Sequence, residues 1–467
     1  VTERFVVVGG DAAGMSAAAT ARRRRSPDEL EIVVFERSAH TSYAACGLPY
    51  YVGDVVGEAR ALVARTPEQH RAAGIDVRTR HEVLALDLER RRVRVRDLER
   101  GRETTEPFDH LCLAVGARPV RPPIPGIDAS GVFGIQHLDD GIALRRVVEV
   151  QQPQRAVIVG GGYIGIEMAE ALVRRGLRVC LVEALPAPMP TLDPDMGALV
   201  ADALVDVGVQ TYLGEPVQRF ETGPDGRVRA VVTAARELPA DLVVLGLGVR
   251  PDTRLAAAAG LAVGESAGIV TDERQRTSAP GVWAAGDCVE TRHLVSGRPV
   301  AIALGTHANK QGRVVGIDVT GGDATFPGVL GTAVAKLCDL EVARTGLTER
   351  QATELGLVVA TTTVDDRTRA GYYPGAAPIR VKLVWEEPTG RLLGAQIVGR
   401  EGAAKRVDVL AACLWNRMTV DEILSLDLGY APPFSPVWDP VLAACRVAVG
   451  RRERRGALGG TGAPTAP

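Results

Sequence analysis

One pattern occurs twice in this chain and constrains its fold more than any other feature. It is an apolar strand, a glycine-rich turn, an Ala-rich helix and a second strand ending in an acid. The first copy runs from Phe5-Val-Val-Val-Gly-Gly-Asp-Ala-Ala-Gly14 through its helix to Ile32-Val-Val-Phe-Glu36. The second runs from Ala156-Val-Ile-Val-Gly-Gly-Gly-Tyr-Ile-Gly165 to Val179-Cys-Leu-Val-Glu183. Strands that are apolar throughout read as parallel strands covered on both faces, so each copy is a βαβ unit. Two such units in one chain of 467 residues imply an α/β protein with two dinucleotide sites.

The turn explains the spacing. Glycines let the backbone approach a pyrophosphate, whose charge the helix N-terminus stabilises. Gly160, Gly162 and Gly165 complete the motif in the second copy, and Glu183 follows Gly165 by 18 residues, where a ribose 2′-hydroxyl is expected. A carboxylate there opposes a 2′-phosphate, and Ala184–Pro190 holds no Arg or Lys to receive one. NADH is therefore expected ahead of NADPH. In the first copy Gly9 and Gly14 keep their places and Glu36 is the ribose partner, but Asp11 stands where the middle glycine belongs. A carboxylate cannot point at a pyrophosphate, so Asp11 must turn away or accept from backbone amides. Thr277-Ser-Ala-Pro-Gly-Val-Trp-Ala-Ala-Gly-Asp287 ends a short strand in Gly-Asp, which can place Asp287 on a ribityl hydroxyl and points to FAD at the first site.

Net charge is −2, which gives no reason to expect nucleic acid, and the longest apolar runs, such as Leu242–Val249, are too short to span a bilayer. The seven cysteines are scattered and contain no Cys-x-x-Cys, so neither a disulfide framework nor a metal site is expected. The first strand begins almost at once with no signal peptide before it, and a reducing cytoplasm fits best.

Cys46 stands apart from the other six. It lies in Thr41-Ser-Tyr-Ala-Ala-Cys-Gly-Leu-Pro-Tyr-Tyr-Val-Gly53, where Pro49 suits a helix's first turn. A thiol at such a helix start is expected to have a lowered pKa and to be poised beside a flavin. The alternative is a small buried apolar cysteine.

With these motifs in this order, residues 4–445 resemble the pyridine nucleotide–disulfide oxidoreductases, the glutathione reductase superfamily. The resemblance implies FAD at the first site, with Gly116 among its ligands, NAD(P)H at the second, and a homodimer formed by the C-terminal domain. It implies a FAD-binding domain over 1–118 and 250–325, an NAD(P)H-binding domain over 119–249 and an α+β dimerisation domain over 326–445. The Arg-, Gly- and Pro-rich stretch 446–467 reads as a disordered tail.

Dithiol members carry Cys-x-x-x-x-Cys, but Tyr51 occupies the second position here. The chain therefore resembles the single-cysteine branch, which works through a mixed disulfide or a sulfenic acid. Peroxidases and water-forming oxidases of that branch have a histidine where Ala12 stands. Ser42–Tyr50, Gly371-Tyr-Tyr-Pro-Gly375 and Tyr430-Ala-Pro-Pro-Phe-Ser435 resemble coenzyme A-disulfide reductases, although Ala45 replaces their usual Asn. That resemblance implies Cys46 as the reacting sulfur, with Tyr430 and Tyr372 or Tyr373 of the partner subunit reaching it. It also implies Ser42, Arg22 and Arg25 on the coenzyme A side. The basic run Arg22–Arg25 equally suits a helix C-terminus. The expected activity is NAD(P)H-dependent reduction of coenzyme A disulfide or persulfide. The alternatives are an NADH oxidase using a Cys46 sulfenic acid, and an electron-transfer reductase for a protein acceptor.

Overall fold

The computed structural model describes residues 2–459. Both copies of the repeated pattern form parallel sheets. In the first, Glu3–Val8 is central, with Leu30–Glu36 and Asp76–Thr79 on one side and His110–Leu113 and Val282–Ala284 on the other. In the second, Arg155–Val159 is central, with Arg178–Glu183 and Gln210–Leu213 to one side and Leu242–Leu245 and Val132–Gly134 to the other. The duplication reaches further than the glycine turns. Each unit carries a three-stranded antiparallel meander just before its returning strand, at 81–107 and at 217–239. In Arg92–Asp97 the valines Val93 and Val95 face inward and the arginines outward, as a half-buried strand requires.

The helix Ala12–Arg24 packs against Gly305–Val319 at very short range. A Cβ on Gly312 would stand 2.1 Å from the Ala13 carbonyl oxygen, and one on Gly316 2.5 Å from that of Ala17. Only glycine allows the two backbones to approach so closely.

The joint between the first two units contains a strand. Ala117–Pro119 pairs antiparallel with Val249–Pro251, so the chain leaves and re-enters the first unit through one two-stranded connection. Beyond it, a five-stranded antiparallel sheet runs Ala333–Leu337, Leu340–Gly346, Leu392–Gly399, Pro378–Glu386, Val359–Arg367 in spatial order. Helices Val407–Trp415 and Pro440–Gly459 cover one face of it.

That last helix corrects the expected disordered tail. It continues through residues 446–459, because Val441, Ala444, Cys445 and Ala448 form a buried stripe while Arg451 donates to the Thr361 carbonyl (2.6 Å) and Arg452 pairs with Asp421. Residues 460–467 lie outside the described residues. Among the described residues no helix is long and apolar enough to cross a membrane.

Candidate functional site

The two glycine turns are built alike. Gly9 and Gly160 both have φ near +100° (+106° and +99°), which L side chains rarely adopt. A Cβ on Gly9 would also lie 2.1 Å from the Ala114 oxygen, and one on Gly160 2.6 Å from that of Gly246. Gly14 and Gly165 press their helices onto the turns: a Cβ would meet the Gly9 or Gly160 oxygen at 1.9 or 2.0 Å. By contrast, a Cβ on Gly162 would meet nothing nearer than the Gly246 oxygen at 3.7 Å, so this position faces the open space a phosphate needs.

The acids at the ends of the second strands are equivalent too. Gly10 N–H donates to Glu36 Oε2 (2.7 Å) and Ser38 N–H to Glu36 Oε1 (2.7 Å). Gly161 N–H donates to Glu183 Oε2 (2.7 Å) and Leu185 N–H to Glu183 Oε1 (2.8 Å). Each carboxylate is thereby held rigid at the lip of its turn, with lone pairs left for a ribose. Gly116, at φ +70°, has open space where a side chain would be. Gly286 abuts Ala13 and brings Asp287 to the first turn, where burial pushes its carboxyl up to about 6. The first turn, Glu36, Gly116 and Asp287 thus fit FAD, and the second turn with Glu183 fits a nicotinamide dinucleotide.

Cys46 is exposed and sits in a short 3₁₀ turn, Ala45–Gly47, ahead of the helix Leu48–Val52. Its loop is fastened to the first turn: Ser42 N–H donates to the Gly10 carbonyl (3.1 Å) and Tyr43 N–H to Asp11 Oδ1 (3.1 Å). Ser42 takes a left-handed φ of +48°, and its hydroxyl meets His70 Nε2 at 3.0 Å. Helix Leu48–Val52 is wedged against the second unit. A Cβ on Gly53 would lie 3.1 Å from Ala171 Cα in the nucleotide helix Tyr163–Arg174, and Leu48 lies against Gly141 of Leu138–Gln151. Cys46 therefore stands where the two nucleotide units meet.

The expected lowering of the thiol pKa does not occur. The helix has only five residues, and the partial desolvation of the sulfur by its surroundings raises the thiol, reinforced by the charges of Glu167, Asp287 and Asp11. Glu167 was not recognised in the sequence. It lies two residues beyond Gly165, its carboxyl is pushed up to about 7 by burial and by Glu170, and its charge reaches both Cys46 and Tyr50.

The remaining expected residues lie elsewhere. Tyr372 is 79% exposed, and Tyr430 and Tyr373 are also exposed. Tyr430 shares a hydrogen bond with Tyr372 that raises its phenol pKa. Arg406 ties their two loops together, donating to the Thr368 (2.7 Å) and Phe434 (2.8 Å) carbonyls and to Asp439 (2.9 Å). Arg22 donates to the Gly74, Arg25 and Leu30 carbonyls, and Arg25 pairs with Glu3. Arg22 thus braces the exit of its helix against the following strand, and Arg25 ties that exit to the first strand.

Residues 3–312 match the model of the pyridine nucleotide-disulphide oxidoreductases, and residues 332–440 match that family's dimerisation domain. The chain belongs to this family. It is 41% identical to the CoA-dependent NAD(P)H sulfur oxidoreductase of Pyrococcus abyssi, across 96% of this chain and 98% of that one. It is 35% identical to an NADH oxidase of Methanocaldococcus jannaschii, across 96% and 98%. The NAD-dependent persulfide reductase of A. fulgidus has the same fold, with a TM-score of 0.93 and 39% identity over 97% of this chain and 84% of that one.

Proposed function

We propose that this protein is an FAD-dependent NAD(P)H:disulfide oxidoreductase that reduces coenzyme A disulfide or persulfide through a mixed disulfide at Cys46. The observation that carries the reading is the placement of one accessible cysteine between two nucleotide turns, with Tyr51 where a second redox cysteine would stand. Similarity to a CoA-dependent sulfur oxidoreductase and to a persulfide reductase supports the substrate class.

Gly9, Gly14, Glu36, Gly116 and Asp287 hold FAD, and Gly160, Gly162, Gly165 and Glu183 hold the nicotinamide dinucleotide, preferably NADH. FAD, when bound, relays two electrons from NAD(P)H to sulfur. Cys46 Sγ, as thiolate, attacks one sulfur of R–S–S–R. The S–S bond breaks, Cys46–S–S–R forms and RS⁻ departs. Tyr430 of the partner subunit, kept protonated by its bond to Tyr372 of that same subunit, donates the proton to the leaving sulfur. Tyr373 flanks them. Two electrons then cleave the mixed disulfide and regenerate the Cys46 thiolate, so the sum is NAD(P)H + H⁺ + RSSR → NAD(P)⁺ + 2 RSH. The protein acts as a homodimer, since the tyrosines and the cysteine belong to different subunits in this scheme.

Cys46→Ser should abolish disulfide turnover while FAD stays bound, as absorbance and a coupled thiol assay would report; retained turnover overturns the mechanism. Ser42 and the guanidinium hydrogens left on Arg22 and Arg25 face the coenzyme A phosphates. Arg22→Ala/Arg25→Ala should raise KM for coenzyme A disulfide and leave KM for NADH unchanged. Oxygen reduction is the weaker reading, because Ala12 offers a Cys46 sulfenic acid no polar partner. Oxygen uptake with NADH alone, at the rate of disulfide turnover, would reverse that order.

A further inference from the structure

The two glycine turns differ at one place that the proposed function leaves unused. Where the second turn has Gly162, facing open space, the first has Asp11. Asp11 begins the helix Ala12–Arg24 without capping it through its side chain. Its Oδ1 instead accepts the Tyr43 amide hydrogen at 3.1 Å, next to the Ser42–Gly10 backbone bond that joins the same two segments. Ser42 adopts its left-handed conformation between these bonds, an uncommon backbone held in place from both sides.

We propose that Asp11 is a positioning residue for Cys46. Its side chain fastens the cysteine loop to the first glycine turn, and its carboxylate is one of three that face the Cys46 thiol. The inference rests on Cys46 being the reacting sulfur.

The fastening is geometric. Only Ala44 and Ala45 separate Tyr43 from Cys46, and a glycine at position 11 would leave the Tyr43 amide without this acceptor. The electrostatic role follows from what surrounds each group. Asp11 faces Glu36 from the second strand and Asp287 from the segment after Val282–Ala284. Burial and these two charges push its carboxyl up to about 7, against the pull of the Tyr43 and Ala12 amides. Cys46 is faced by Glu167 of the nucleotide helix, by Asp287 and by Asp11, and Tyr50 is a nearby phenol. As pH rises through about 7 Asp11 becomes anionic. The Cys46 thiolate then forms against one more negative charge, and the thiol titrates at a higher pH than it otherwise would.

The two roles separate by substitution. Asp11→Asn removes the charge and keeps an oxygen for the Tyr43 amide; Asp11→Gly removes both. The holoenzyme and both variants would be alkylated with iodoacetamide across the pH range in which thiols ionise, with the Cys46 peptide quantified by mass. Amide exchange of the Tyr43–Cys46 segment would be read in parallel. Both variants should alkylate with a midpoint lower than that of the wild type. Exchange should stay slow in Asp11→Asn and quicken about tenfold in Asp11→Gly. An unchanged or higher midpoint in Asp11→Asn overturns the electrostatic role, and slow exchange in Asp11→Gly overturns the fastening. If a variant loses flavin, the comparison is made on flavin-stripped wild type and variants, since the groups invoked all belong to the chain. Alkylation needs no turnover, so a failure of the disulfide mechanism in Cys46→Ser would remain distinguishable from a failure here.

Discussion

A carboxyl held near neutrality beside a thiol changes how that thiol titrates. Glu167 is pushed up to about 7 by burial, and once ionised it adds to the charges that raise Cys46. Below pH 7 the carboxyl is protonated and this opposition is absent; above it the opposition is complete. Glu167 is therefore already ionised when the thiol titrates, and the thiol loses its proton at a higher pH than it would beside a neutral carboxyl. Glu167→Gln should lower the midpoint of the thiol titration, read from the pH dependence of the rate of Cys46 modification. A curve identical to wild type would show that Glu167 does not act on the thiol. The sequence revealed Cys46, the glycines and the terminal acids because nucleotide chemistry demands those residue types at those spacings. Glu167 was hidden because its behaviour comes from burial and from a neighbouring helix supplied by the other unit. The dipole argument for Cys46 failed for the same reason. Five residues give little dipole, and three carboxyls arrive at the thiol from distant segments.

The short helix Leu48–Val52 cannot hold its own position, since five residues form barely more than one turn. Arg145, from the helix Leu138–Gln151, supplies what it lacks. Its guanidinium donates to the Tyr51 (2.7 Å) and Val56 (3.0 Å) carbonyls and to Asp54 (2.7 Å) and Glu149 (2.7 Å), and it stacks 4.6 Å above the Tyr51 ring. The residue that replaces the second redox cysteine is thus a seat for this cation. Arg145→Met would leave the Val56 carbonyl without its donor and remove one of the donors to the Tyr51 carbonyl, at a cost of about 2 kcal/mol locally. Amide exchange across residues 48–56 should accelerate, and Arg145→Lys should not rescue it, because an ammonium cannot present the planar fork. Exchange unchanged in Arg145→Met would refute the role. At this scale the sequence was legible where elements are local. The strand–turn–helix repeats could be read directly, whereas Ala117–Pro119 and Val249–Pro251 pair across the whole second unit. The C-terminal helix was misread because its arginines looked solvated, although they lie beside a buried stripe of Val441, Ala444, Cys445 and Ala448.

Across the whole molecule, the second and third units are joined by a buried cation. Lys382, with its side chain 5% exposed, donates to Asp195 (2.9 Å) and Glu349 (3.1 Å) and lies 3.2 Å from Asp193, which is 4% exposed. Gln396, paired with Lys382 on the adjacent strand, closes the cluster: its Nε2 donates to Asp193 Oδ2 (2.6 Å) and its Oε1 accepts the Asp193 amide hydrogen (2.7 Å). Asp193 precedes the helix Pro194–Asp206 of the second unit, whereas Lys382, Gln396 and Glu349 belong to the third. The Lys382 pKa is raised overall, because the three carboxylates outweigh the desolvation that opposes them. Such a cluster stabilises little compared with apolar packing, but breaking it from one side is costly, because the buried charge left behind has no counter-charge. Lys382→Met should therefore destabilise by about 3 kcal/mol, since the buried Asp193 then loses its ion-pair partner and keeps only the charge of Arg344, while Asp195 and Glu349 can still reach water. Lys382→Met/Asp193→Asn removes both members of the buried pair and keeps an oxygen for Gln396. More than half of the lost stability should return in this double variant, measured by denaturant unfolding of the dimer at fixed concentration. A double variant less stable than Lys382→Met alone would mean that the Asp193 carboxylate is held by its amide and Gln396 bonds, and that Lys382 is not its counter-charge.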